Sequence, residues 1–95
     1  MFWCKTHSVK GQSIVAICDK ELLGKNIGKK LKISVSESFY GGDLIDDKKV
    51  LELMKQSSIC NIIGKKIIKL AIEKKFITKE NIMFIGDIPH AQFVR

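Results

Sequence analysis

The chain has 95 residues, enough for one domain around one core and too few for a deep cleft walled by several layers. An apolar content of 45% excludes an unfolded chain, and no apolar run approaches the ~20 residues of a membrane span. Seventeen basic residues against ten acidic ones give a net charge of +7, with a pI near 9.5, a balance that favours acidic partners and nucleic acid above all. Sixteen of the basic residues are Lys and only Arg95 is Arg. Specific phosphate and base recognition leans on the Arg fork, so the same charge also reads as the composition of an AT-rich genome.

The N-terminus, MFWCKTHS, lacks a basic region followed by an apolar core, so no signal peptide is expected and the protein is expected in the cytoplasm. Cys4, Cys18 and Cys60 are odd in number and form no CxxC. They read as small buried hydrophobes rather than a disulfide framework. Cys4-x-x-His7 has the spacing of half a zinc site, but residues three apart in a strand point to opposite faces, and no metal is expected.

Phe2 to His7 reads as a strand, Ser8 to Gln12 as a turn around Gly11, and Ser13 to Asp19 as a second, nearly unbroken apolar strand, the two forming a hairpin. Asp19 is placed to cap a single helical turn, Lys20 to Leu23, closed by Gly24. Leu31, Ile33 and Val35 alternate with Lys32, Ser34 and Ser36, the pattern of a strand with one wet face. Asp46 is a suitable N-cap for a helix running to about Gln56, with Ile45 stapled to Val50. Ser57 to Lys75, set at about 100° per residue, reads as one long helix that is apolar around most of its circumference, with Cys60, Gly64, Ile67 and Ala71 on one narrow stripe. Ile82 to Ile85 and His90 to Val94 read as extended pieces, with Pro89 expected at an edge or in a loop. The order β-β-(turn)-β-α-α-β-β makes residues 1–95 a single α+β domain, a small mixed or antiparallel sheet with two α-helices packed on one face.

Three short stretches, Leu22-Leu23-Gly24-Lys25, Phe39-Tyr40-Gly41-Gly42-Asp43-Leu44 and Ile88-Pro89-His90-Ala91-Gln92, with Asn61 and Gly64 between them, resemble in order and spacing the archaeal family catalogued as Domain of Unknown Function 424. The resemblance runs from Ser13 to Val94. Members often carry Gly-Gly before the Pro-His element, where this chain has Gly86-Asp87. The resemblance implies a small archaeal cytosolic protein and assigns no activity.

Phe39-Tyr40-Gly41-Gly42 is the foremost candidate site. Its glycines let a backbone approach a ligand or turn N–H groups toward an anion, and its aromatics can stack on a base. A strand-to-helix crossover that needs positive φ at the glycines, with Phe39 and Tyr40 as lids on the core, is the simpler reading of the same residues, since turn geometry alone demands Gly. No GxGxxG or GKS/GKT pattern is present. Asp87 and His90 have the spacing of a minimal acid–base unit, without a matching nucleophile. Asn61 and Gln92 are candidate amide contacts. Lys25, Lys29 and Lys30 belong to one basic cluster, and Lys65, Lys66 and Lys69 to another. If both border the glycine loop they make a phosphate-tracking surface.

Three functions follow as expectations. The foremost is a non-catalytic RNA- or ribosome-associated module. The others are a small-molecule binder or enzyme using Tyr40, His90 and Asp87, and a protein-interaction subunit docking near Pro89. No cofactor and no membrane partner are implied.

Overall fold

β-Branched and aromatic residues at the N-terminus fold as an antiparallel hairpin of β1 (Phe2–Val9) and β2 (Gln12–Asp19), in register from Phe2 opposite Asp19 to Val9 opposite Gln12. The computed structural model describes residues 1–94, and Arg95 lies outside the described residues. After a 3₁₀ turn at Lys20–Leu22, β3 (Asn26–Ile27) and β4 (Ile33–Ser34) form a small ribbon of their own. The one-turn helix α1 (Glu37–Tyr40), β5 (Asp43–Ile45), α2 (Asp47–Gln56), β6 (Ile59–Ile63), α3 (Lys65–Glu73), β7 (Met83–Ile85) and β8 (Ile88–Val94) follow. The main sheet has six strands in the order β5-β1-β2-β6-β8-β7. β2 and β6 run parallel and every other neighbouring pair is antiparallel. A parallel pair needs a crossover, and the chain between Lys20 and Ser58 supplies it.

The α+β class, the mixed sheet and two helices on one face of it are as expected. Residues 57–75 are not one helix. Ile59–Ile63 is a central strand, Gly64 turns the chain with φ of 126°, and only Lys65–Glu73 is helical. The apolar run misled because strand β6 is covered on both faces: Cys60 and Ile62 enter one core and Ile63 the other. A run apolar on both sides carries no period-two signal, and its β-branched residues favour the strand. The element order is therefore β-β-β-β-α-β-α-β-α-β-β rather than the simpler order expected from the sequence. The strand expected at Leu31 to Val35 shrinks to Ile33–Ser34, with Leu31 77% exposed. Pro89 lies within β8, an inner strand, and not at an edge. It is tolerated because β6 has already ended there, and the Pro89 carbonyl accepts from the Gly64 N–H at 3.0 Å.

Alternation along the central strands builds two cores. Val15, Ile17, Cys60 and Ile62 face α2 and α3, where Val50, Met54, Ile67 and Ala71 meet them. Ala16, Cys18 and Ile63 face the crossover segment, where Leu22, Ile27, Val35 and Tyr40 cover them. Ile17, Ile62 and Ile67 have no exposed surface, each burial worth roughly 1.5–3 kcal/mol. Helix α2 starts where its cap predicts, with Asp46 Oδ1 accepting from the Lys49 N–H at 2.9 Å.

Asp19 does not cap the turn that follows it in sequence. Its carboxylate, 2% exposed, accepts from the N–H groups of Lys66 and Ile67, each at 2.9 Å, and so caps α3 from across the sheet. The register that sets Cys18 beside Ile63 sets Asp19 beside Gly64. A Cβ on Gly64 would collide with the Asp19 carboxylate, and the positive φ there disfavours any side chain. Gly64→Ala is therefore expected to lose more than about 2 kcal/mol in urea unfolding. Gly11→Ala, with positive φ but open space around it, is expected to lose about 1 kcal/mol. Equal losses would show that the contact with Asp19 contributes nothing.

Candidate functional site

The candidate residues divide between a cluster on the sheet and a glycine loop at its edge. Ser36 caps α1 by accepting from the Phe39 N–H, which sets Phe39 and Tyr40 over the face of the sheet opposite α2 and α3. Tyr40 is buried and its hydroxyl donates to Asn61 Oδ1 at 2.5 Å. His90 Nε2 meets the same oxygen at 3.2 Å. An amide oxygen only accepts, so Nε2 carries a proton and donates it to Asn61. Register explains the meeting: Asn61 on β6 lies opposite Gln92 on β8, and Ile63 lies opposite His90, so all project to one face. Tyr40, Asn61, His90 and Gln92, which lie far apart in sequence, thus gather on one patch. Gln92 is exposed at its rim, and Asn61 and His90 are half-buried. Asn61 Nδ2 has no partner among the described residues and no buried side-chain polar atom is left unpaired, so this donor faces solvent.

Burial pushes the Tyr40 hydroxyl up, with further pressure from Cys18 and Cys60, and keeps it a donor. Burial also depresses His90 below the usual histidine value. Burial pushes the Cys4 thiol up to about 11 and those of Cys18 and Cys60 to about 12; nearby negative charge adds to this at Cys4 and Cys18, and a hydrogen bond with Ser57 opposes it at Cys60. All three are uncharged at neutral pH and poor nucleophiles.

Phe39 stacks on His7, with ring centroids 4.9 Å apart and planes 15° from parallel, and meets Tyr40 edge-on. His7 Nε2 also bonds the Phe39 carbonyl at 2.8 Å. Sequence reasoning gave His7 no place here, and its separation from Phe39 offered no signal. Cys4 faces the helix-side core while His7 stacks on the other face, so the two do not form half a metal site. Among the described residues, no three His, Cys, Asp or Glu side chains gather to hold a metal.

The glycine loop differs from its sequence reading. Neither Gly41 nor Gly42 has positive φ. Both positions need the small residue for space: a Cβ on Gly41 would lie 2.7 Å from the Glu37 carbonyl, and one on Gly42 would strike the Cys4 carbonyl. Their N–H groups already donate to the Glu37 and Tyr40 carbonyls at 2.8 and 3.0 Å. The loop is therefore a close crossing beneath β1 and not an anion nest. Asp87 sits exposed in the turn between β7 and β8, and the hydrogen-bond partner of His90 is Asn61, not Asp87. The acid–base unit suggested by their spacing is not assembled.

The six lysines singled out are all exposed. Lys25, Lys29 and Lys30 lie on the crossover side of the sheet, and Lys65, Lys66 and Lys69 on α3 at the opposite side. Lys66 pairs with Glu21 at 3.5 Å. The glycine loop abuts β1 near one edge of the sheet, so the two clusters do not frame it together.

The family model described as "Protein of unknown function (DUF424)" matches residues 7–95. A solved structure, the crystal structure of an uncharacterized conserved protein from Methanopyrus kandleri, has a similar fold, with a TM-score of 0.78 and 22% sequence identity over 97% of this chain and 89% of that one. No curated protein matches. No helix among the described residues is long and apolar enough to cross a membrane.

The depressed His90 fixes a pH effect. The unfolded chain binds a proton at His90 near the ordinary pKa of about 6.5, and the folded chain only at lower pH. Stability contributed through His90 is whole above that pH and falls as the pH drops below it. The difference in unfolding free energy between the wild type and His90→Gln is expected to move against the wild type between pH 7 and pH 5. A difference independent of pH would show that His90 is not buried as a neutral donor.

Proposed function

This chain belongs to the DUF424 family, proteins of unknown function, and on that premise we propose that it is a non-catalytic RNA- or ribosome-associated binding module of the archaeal cytoplasm. The observation that carries this reading is unneutralised positive charge. Of sixteen lysines, all but Lys5 are exposed. Among the described residues only Lys49 and Lys66 are in ion pairs, at 3.7 and 3.5 Å, and both pairs are solvent-exposed and weak. Holding so many like charges on a small globule raises its free energy, and a polyanion relieves it while releasing counterions. The protonated thiols and the neutral, hydrogen-bonded His90 support a role in binding over chemistry.

A second reading has one observation in its favour. Asn61 Nδ2 and the exposed Gln92 amide lie on adjacent strands beside Tyr40 and His90, a polar group suited to a small ligand with acceptor atoms. If that is the function, Tyr40→Phe and His90→Ala change a ligand-induced thermal shift.

The principal reading is tested by measuring affinity for a structured RNA across a salt series. Binding that weakens linearly on a log–log plot is expected. Absence of binding at low salt, or affinity indifferent to salt, would remove the reading.

A further inference from the structure

Two features of the third hairpin stand out from the rest of the surface. Phe84 is 68% exposed and Met83 71% exposed, both on β7, the edge strand of the main sheet. Phe84 also forms the shared wall of two grooves. One, of about 300 Å³, is lined by Ile68, Ile72, Ile82 and Pro89, with Lys65, Lys69 and Glu73 along it. The other is lined by Leu31, Ile33 and Ile85 with Lys29 and Lys30. The two lysine clusters, which lie on opposite sides of the sheet, therefore converge at this edge around one aromatic ring. The loop carrying Lys29 and Lys30 is held there by backbone approach: a Cβ on Gly86 would lie 3.1 Å from the Gly28 Cα.

We propose that the β7 edge is a binding site for single-stranded RNA, with Phe84 as a stacking platform for a base and Lys29, Lys30, Lys65 and Lys69 as contacts to the flanking phosphates. This rests on the RNA-binding reading above and places it. Base faces are apolar and stack on aromatic rings without sequence preference, while lysines track the backbone on either side. Glu73 and the Asp87 carboxylate in the turn beyond Ile85 are the acidic groups beside the site, so four lysines face two carboxylates. β7 spans three residues, and Ile85 and Ile88 close its two-residue turn. In such a hairpin the closing pair bonds inward, so the outer edge offers one N–H and one C=O, at Phe84. One such pair is too little for a peptide to add a strand, and enough for one base edge. A second copy of this edge would set lysine against lysine.

The test is fluorescence anisotropy of a short labelled oligouridylate across a salt series, with polyglutamate as competitor. Four single-stranded phosphate contacts give a log–log slope of about −2.8. Phe84→Ala is expected to weaken binding about tenfold or more. Lys65→Gln/Lys69→Gln and Lys29→Gln/Lys30→Gln should each reduce the slope by about 1.4. Lys48→Gln/Lys55→Gln on α2, with the same change of net charge, should leave both affinity and slope nearly unchanged. If RNA binds but all four variants behave alike, the site is wrong while the RNA reading stands. If no RNA binds at low salt, that reading fails and the site with it. Phe84-dependent binding of polyglutamate without binding of the oligonucleotide would overturn the proposal in favour of an acidic peptide.

Discussion

A buried carboxylate ties the two parallel strands at the centre of this protein to the helix that follows the second of them. Asp19 ends β2, and its two oxygens accept from the first free amides of α3, those of Lys66 and Ile67. Four N–H groups at a helix start have no partner within the helix, and an acceptor carrying charge is a strong one. The arrangement has a cost: burial pushes the Asp19 carboxyl up, and the two amides and the Lys66 charge oppose this without reversing it. Gly64 is the necessary companion. Only a residue without a Cβ admits the carboxylate so close while turning the chain from strand to helix.

Everything on either face of the sheet follows from where that turn falls. With β6 ending at Ile63, Cys60 and Ile62 point to the helix side and Asn61 to the crossover side. That parity brings Asn61 under the Tyr40 hydroxyl and beside His90. A shift of one residue would exchange the two sets and bury the amide among α2 and α3. The same turn starts α3 at Lys65, with Ile67, Ile68 and Ala71 buried and Lys65, Lys66 and Lys69 exposed. The position of the α3 lysine cluster is thus a consequence of a strand end.

The sequence was informative where turn and cap residues mark the ends of an element. The hairpin of β1 and β2 and helix α2 with its Asp46 cap stand close to where pattern and capping place them, and the family resemblance agrees with the match over residues 7–95. It misled at residues 57–75, because a strand covered on both faces and a buried helix are equally apolar. Asp19 carries a local capping signal, and nothing in the chain says that its partner amides lie 47 and 48 residues away. Gly41 and Gly42 read as conformational glycines, whereas space beside Glu37 and Cys4 is what they supply. The exposure of Met83 and Phe84 had no signal in the chain, since it depends on β7 being an edge, a property of strand order alone. Of the candidate cluster, Tyr40, Asn61, His90 and Gln92 were individually visible, and their meeting was not, because it rests on register between β6 and β8.

The most direct measurement is the unfolding free energy of Asp19→Ala, combined with hydrogen exchange at the Lys66 and Ile67 amides. Removing the carboxylate leaves a buried donor at Ile67 and a part-buried one at Lys66 without an acceptor, so a loss of about 3 kcal/mol is expected, with both amides losing protection ahead of the rest of α3. A loss below about 1 kcal/mol, the scale of an ordinary exposed cap, with the two amides still protected, would contradict the account.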